Sequence, residues 1–333
     1  MKAKIAIATG DSAGIGPEIS LKAVLDPAVR AACHPVLVSD PGVISRHANA
    51  CGIAAELRVI ERIADAEFSS GKLNVLDCKQ PDAATLNFGA TNPIAGRASI
   101  AFVGAAVQAA LAGDVDAVVG APQNETSVAQ AGIKFDGHPS FVARQTGTDE
   151  NDVFMMLCFG GIKVAHATLH QSVRKAIESI TRDKVARVID ATNATLKQIG
   201  FAAPKIAVSG LNPHAGEGGL FGSEEIEIIK PAIEAAAARG IAASGPFGAD
   251  TMFHMQNIDA FIVMLHDQGH VPAKLVAPAA TIALTIGTPI LFSSVAHGSA
   301  HEIAGKGIAS PQAMIEAILH LSKARGTRRT NAA

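Results

Sequence analysis

Short apolar runs alternate with longer stretches of helical spacing along this chain, and that alternation restricts its fold more than any other feature. Runs at 4–9, 35–39, 116–121, 162–168, 205–210, 259–265 and 281–286 are rich in Val and Ile and bounded by turn residues, as buried strands are. Helices are expected at 17–26, 97–113, 172–199, 223–239 and 311–324. The last is marked by Ser310 as cap, Pro311 in the first turn, and Met314, Ile318 and Leu321 on one face. Strands alternating with helices predict βαβ units and mainly parallel sheets, an α/β fold.

A chain of 333 residues exceeds one ordinary core, so two domains are expected. A hydrophobic fraction of 48% with 31 glycines fits a packed globular protein. The net charge of −2 gives no electrostatic reason to expect nucleic acid or an acidic membrane, and without Trp or Tyr the chain lacks stacking platforms for bases. Cys33, Cys51, Cys78 and Cys158 are isolated and read as reduced thiols of a cytoplasmic protein. "MKAK" runs straight into the strand-like "IAIATG", with no signal-peptide segment expected. No apolar run is expected to reach the roughly 18 residues that span a bilayer. The tail "KARGTRRTNAA" reads as frayed.

"TGDSAGIG", 9–16, fits the glycine-rich turn with which short-chain dehydrogenases hold a pyrophosphate. Those enzymes move a proton with a tyrosine, which this chain lacks, so that chemistry is excluded. The motif remains a βα turn whose Asp11 faces two readings, local structure or the lining of a cleft.

Ten of the twelve histidines follow residue 130. His170, His214 and His266 each stand just past a different expected strand, where α/β proteins gather ligands. One such histidine is ordinarily a hydrogen-bonding loop residue; three in the same topological position can converge on a divalent cation. Spacing alone leaves both readings open. His166 and His170, four apart in an expected strand, would stand roughly 13 Å apart and do not make a helical ligand pair. Gly269 and the strand exit predict that "MLHDQGHVPAK", 264–274, is a loop, with His266 a ligand and His270 not.

"FDGHPSF" at 135–141, "GLNPHAGEGGLFGSEE" at 210–225, "GPFGADTMF" at 245–253 and "MLHDQGHVPAK" at 264–274 stand in that order along the chain. They resemble the signatures of the 4-hydroxythreonine-4-phosphate dehydrogenase family of pyridoxal biosynthesis. The resemblance implies a two-domain fold similar to isocitrate and isopropylmalate dehydrogenases, and a homodimer with its active site at the subunit interface. It also implies a divalent metal on His170, His214 and His266, with ligands from both subunits. Zn is the expected ion, with Co, Mn, Ni or Mg as alternatives. "HGSAHEIAGKGIASP", 297–311, is similar to the adenosine-binding loop of isopropylmalate dehydrogenases and implies NAD against His297, Gly298, Ser299 and Ala300. His138 and Lys274 are the implied substrate-binding residues. In that arrangement the chain leaves its first domain and returns, so the expected domains are 1–127 with 303–333, and 128–302.

The implied chemistry suits these residues. A cation on a substrate hydroxyl favours hydride loss to NAD, and on the resulting ketone it favours loss of a neighbouring carboxylate. Asp250 and Asp267 are the carboxylates expected to orient a ligand or relay a proton, and Lys274 to hold a substrate anion.

The chain also departs from the phosphate-binding pattern. It keeps Lys274, but Ala283 and Phe292 stand where that pattern has Asn and Arg, and Ala296 replaces an aspartate. Losing an amide and a guanidinium disfavours a phosphate dianion. "AGIKFDGHPSFVA", "HATLHQSVRKAI" and "LTIGTPILFSSVAHGSAHEIAGKG" look most like the terephthalate dihydrodiol dehydrogenase branch. That branch implies NAD-dependent oxidative decarboxylation of 1,2-dihydroxy-3,5-cyclohexadiene-1,4-dicarboxylate to 3,4-dihydroxybenzoate. Two alternatives stand beside it: a dehydrogenase of a 4-phosphorylated hydroxy acid, such as 4-hydroxythreonine 4-phosphate, and a non-catalytic binding relative.

Overall fold

The computed structural model describes residues 2–277 and 280–323. The chain forms two compact units, one of residues 1–146 with 289–333 and one of 147–288. It leaves the first unit, builds the second and returns, crossing after Thr146 and after Thr288 rather than near 127 and 302. The difference has a packing cause. The helix His138–Thr146 lies against the long helix Pro93–Leu111, and the strand Phe292–Val295 pairs with Ala117–Gly120, so both segments belong to the first core.

Unit 1 holds a parallel sheet in the order β3-β4-β2-β1-β5-β12. Its strands are β1 (Ala3–Ala8), β2 (Cys33–Ser39), β3 (Leu57–Ile60), β4 (Leu73–Asp77), β5 (Ala117–Gly120) and β12 (Phe292–Val295). The helix Pro93–Leu111 buries Phe102, Val103 and Val107 against this sheet. At 19 residues it is long and apolar enough to cross a membrane, contrary to the sequence reading; half of it is buried inside the protein, as in a core helix. The helix Gln312–Leu321 buries Met314, Ile318 and Leu321 and packs on the helices Gly16–Leu25 and Pro27–Ala32. Residues 324–333, most of the tail read as frayed, lie outside the described residues.

Unit 2 holds the order β11-β6-β7-β10-β8-β9. Its strands are β6 (Phe154–Phe159), β7 (Ile162–His166), β8 (Lys205–Ser209), β9 (Ala242–Phe247), β10 (Ala260–Val263) and β11 (Ile282–Ile286). β7, β10, β8 and β9 are parallel, while β6 runs antiparallel to both of its neighbours. The expected helix 172–199 is two helices, Val173–Ser179 and Arg182–Gln198, because Thr181 turns extended and its hydroxyl caps the Lys184 N–H. Among the described residues no disulfide joins any of the four cysteines.

Candidate functional site

Parallel pairing of β7, β10 and β8 brings the loops carrying His170, His266 and His214 to one edge of the unit 2 sheet. The segment after β10 is not the expected loop but a helix, His266–Val276. Its first turn is tied by Gln268, whose Oε1 accepts the Met264 and Leu265 N–H groups at 2.9 Å. The same side chain donates to the Gly210 carbonyl at 3.2 Å, linking this helix to the loop of His214. Gly269 serves close packing rather than a turn: a Cβ there would lie 2.3 Å from His166 Nε2.

The helix stacks His270 on His266, with ring centres 3.7 Å apart and planes 9° from parallel. His166 lies 4.8 Å from His270 on one side of this pair, and His170 lies 5.6 Å from His266 on the other. Four imidazoles therefore form a row running from the core to the surface. Burial, with the positive charge His270 would carry beside it, pushes the fully buried His166 down to about 3. His270 is pushed down to about 4, by burial first and then by His266.

His266 is held by Asp267, whose Oδ1 lies 2.7 Å from Nδ1 and leaves Nε2 to face a ligand. Two imidazoles sharing a tetrahedral ion at about 2.1 Å have ring centres roughly 5 Å apart, close to the His170–His266 spacing. These two residues therefore fit a shared cation. His214 is not brought into the pair. Its Nδ1 lies 3.4 Å from Glu217 and its ring against Phe221, and among the described residues no three potential ligands cluster.

His214 begins a left-handed run: His214, Ala215, Gly216, Glu217 and Gly218 all have positive φ. Three of these are not glycine, a conformation that needs external support. Glu225 supplies it from a buried position. Its Oε1 accepts the Leu211 and Asn212 N–H groups at 2.7 Å, and Oε2 accepts the Asn212 amide at 3.0 Å. Burial raises the Glu225 carboxyl, but the hydrogen bonds from Asn212 and Leu211 outweigh it and hold the group below its ordinary value. A Cβ on Gly248 would lie 2.7 Å from Asp250 Oδ1 and 3.8 Å from His214 Cα, so Asp250, which is exposed, stands in the neighbourhood of His214. Lys274 is exposed in the last turn of the helix begun by His266, about 12 Å further along its axis.

Unit 1 carries the other expected residues. His138 packs on Phe292, ring centres 5.2 Å apart, and on Phe135 at 5.5 Å. Its buried Nε2 has no partner among the described residues, and burial pushes the imidazole down to about 4. Phe292 is fully buried in the unit 1 core rather than lining an open pocket as its substitution for arginine suggested. The ring fills the space over Gly120. His297 and Gly298 are exposed, Ser299 is buried, and Ala300 is left-handed with φ 40°. Sequence reasoning missed His166, Gln268 and Glu225; only Gln268, three residues into a helix, left a local signal.

These features define an α/β protein with imidazole and carboxylate groups past the carboxyl ends of parallel strands, the architecture of an enzyme for small molecules. Residues 31–321 match the family described as "Pyridoxal phosphate biosynthetic protein PdxA". The structure of a 4-hydroxythreonine-4-phosphate dehydrogenase from Burkholderia phymatum is similar at 37% identity and a TM-score of 0.89, covering 98% of this chain and 99% of that one. A terephthalate 1,2-cis-dihydrodioldehydrogenase from Burkholderia xenovorans is similar at 38% and a TM-score of 0.74, covering 96% and 97%. A Cutibacterium acnes relative named "Putative D-threonate 4-phosphate dehydrogenase" is 39% identical, over 96% of this chain and 92% of its own length. The chain belongs to the PdxA family and, as a PdxA-type dehydrogenase, is an oxidoreductase.

Proposed function

We propose that the protein is a metal- and NAD-dependent dehydrogenase that oxidises and decarboxylates a cis-dihydrodiol aromatic acid. The substrate would be 1,2-dihydroxy-3,5-cyclohexadiene-1,4-dicarboxylate and the products 3,4-dihydroxybenzoate, CO2 and NADH. The observation that carries this reading is Phe292. A buried phenyl ring, packed on His138, stands where the phosphate-binding pattern has a guanidinium, and Ala283 is apolar where it has an amide. A 38% identical relative from Comamonas sp, covering 97% of this chain and 98% of its own length, is named for the dihydrodiol dicarboxylate. The phosphorylated hydroxy acid is the second reading, favoured by the 39% identical relative named for D-threonate 4-phosphate.

When bound, the divalent cation supplies Lewis acidity to the reacting oxygens and NAD supplies the hydride acceptor. His170 and His266 would hold the cation, with Asp267 fixing the His266 tautomer so that Nε2 presents its lone pair. His214 would complete the set across a homodimer interface. The elements that carry the three histidines also expose Val173, Leu220, Phe221, Val271, Leu275 and Val276, apolar surface that a second copy would cover. Asp250 or Asp267 would relay the proton, Lys274 would hold a ring carboxylate, and the unpartnered His138 Nε2 would meet a polar group of the substrate. His297, Gly298, Ser299 and Ala300 would hold NAD. Four cysteines with no disulfide among the described residues support a cytoplasmic enzyme. The test is turnover of each substrate with NAD and a divalent ion, following NADH absorbance and CO2 release. Dihydrodiol-dependent NADH and CO2 are expected; efficient turnover of the phosphorylated acid alone would transfer the assignment to the second reading.

A further inference from the structure

In unit 1 the chain runs from β1 to β2 on one side, and β5 lies on the other side of β1. The order of the sheet thus reverses between β1 and β5, the place where open α/β sheets take ligands at their carboxyl ends. Three segments meet there: the turn "TGDSAGIG" after β1, the segment of Asn124 after β5, and the loop 297–303 after β12. Asp11 is 1% exposed. Its Oδ1 accepts the Ala13 N–H at 2.9 Å, and its Oδ2 lies 2.6 Å from His301 Nε2. Asn124 Nδ2 stands 3.4 Å from both Ser299 Oγ and His301 Nε2. The Ile15 N–H donates to the Ser299 carbonyl at 2.9 Å. Contact between turn and loop is so close that a Cβ on Gly14 would lie 2.7 Å from that carbonyl.

Ala300, between Ser299 and His301, has φ 40° and ψ 59°. Left-handed backbone at an alanine is unfavourable, so contacts from outside the loop must hold it. Asp11 is a buried carboxylate whose cost of burial is offset by its hydrogen bonds to His301 and Ala13. We infer that the Asp11–His301 pair is a clasp that presets the loop 297–301 for a dinucleotide, making His301 a positioning residue for NAD binding. This rests on the reading that 297–300 hold NAD. A loop already in its bound shape loses less entropy on binding, so the clasp acts on dinucleotide affinity rather than on the chemical step.

The test uses the full chain and direct titration with NAD, together with kcat and KM and amide exchange of 297–304. His301→Leu removes the clasp, His301→Gln keeps an N–H donor, and Asp11→Asn removes the charge while keeping an acceptor. His301→Leu should weaken NAD binding roughly tenfold, the order expected for a lost charged hydrogen bond, and raise the KM for NAD with little change in kcat. Exchange of 297–304 should quicken, and His301→Gln should recover most of the affinity. If His301→Leu does not fold, Asp11→Asn is expected to weaken NAD severalfold relative to His301→Gln. A folded His301→Leu that binds NAD like the wild type, or equal affinities of Asp11→Asn and His301→Gln in its absence, would overturn the clasp. A wild type that binds no NAD would overturn the cofactor reading and with it the clasp's role. The exchange data separate the two failures, because loss of protection in His301→Leu reports the clasp without NAD.

Discussion

Gly269→Ala is the substitution whose outcome the structure fixes most tightly. By helix propensity alone, alanine inside His266–Val276 should stabilise by about 1 kcal/mol. The packing opposes this. The new Cβ would lie 2.3 Å from His166 Nε2, 2.8 Å from its Cε1 and 3.0 Å from Val164 Cγ1. His166 must move by about 1 Å to restore ordinary contact. It is fully buried, with Nδ1 3.4 Å from the Met155 carbonyl and its ring centre 4.8 Å from that of His270. Overpacking of a boxed ring costs about 3 kcal/mol, so the net loss is about 2 kcal/mol. That corresponds to a Tm lower by roughly 4–8 °C for a unit of this size. Calorimetry and urea melts measure it, and His166→Ala provides the control. With the ring gone, Gly269→Ala should become neutral or stabilising, giving a coupling above about 1 kcal/mol. A single Gly269→Ala variant as stable as the wild type would refute the packing argument and return Gly269 to the role of a turn residue.

Asp267→Asn should leave the fold intact and weaken cation affinity about 10–100-fold in a chelator competition, since His266 loses the carboxylate at 2.7 Å. Unmodified protein should turn over 4-phosphohydroxythreonine with a kcat/KM at least about 100-fold below that of the dihydrodiol, and Lys274→Ala should raise the dihydrodiol KM more than it lowers kcat. Phe292→Arg should not restore phosphate binding, because it places a guanidinium in the unit 1 core; loss of the cooperative melt is the expected result. Glu225 has a lowered pKa, so its contribution to stability is full above the ordinary value of 4.5 and lost as pH falls through the folded value. Urea melts of Glu225→Gln should therefore fall less steeply than wild type on acidification below about 4.5.

Much of this protein was legible locally. Seven of its strands announce themselves as apolar runs between turn residues, because a strand buried on both faces must be apolar throughout. The positions of His170, His214 and His266 past such runs follow from the same signal. The strands "LRVI", "LNVLD", "AASGPF" and "FSSV" did not show, since they are short or interrupted by polar residues and glycine and owe their extended form to pairing in a sheet; "FMMLCF" was missed although apolar throughout, because a short run without β-branched residues reads equally as buried helix. Gly269 looked like a loop residue because a glycine kept to admit a neighbour's ring is locally indistinguishable from one kept for a turn. Phe292 looked like the lining of a pocket, and only the packing of β12 into the core turned its ring inward. Glu225 supports a left-handed run eleven residues earlier, and Asp11 meets His301 across 290 positions. The sequence by itself determined seven of the strands, the alternation and the candidate ligands, because period and turn chemistry act over a few residues. Which side chains touch was decided by the tertiary structure, because parallel pairing joins segments whose separation along the chain leaves no local trace.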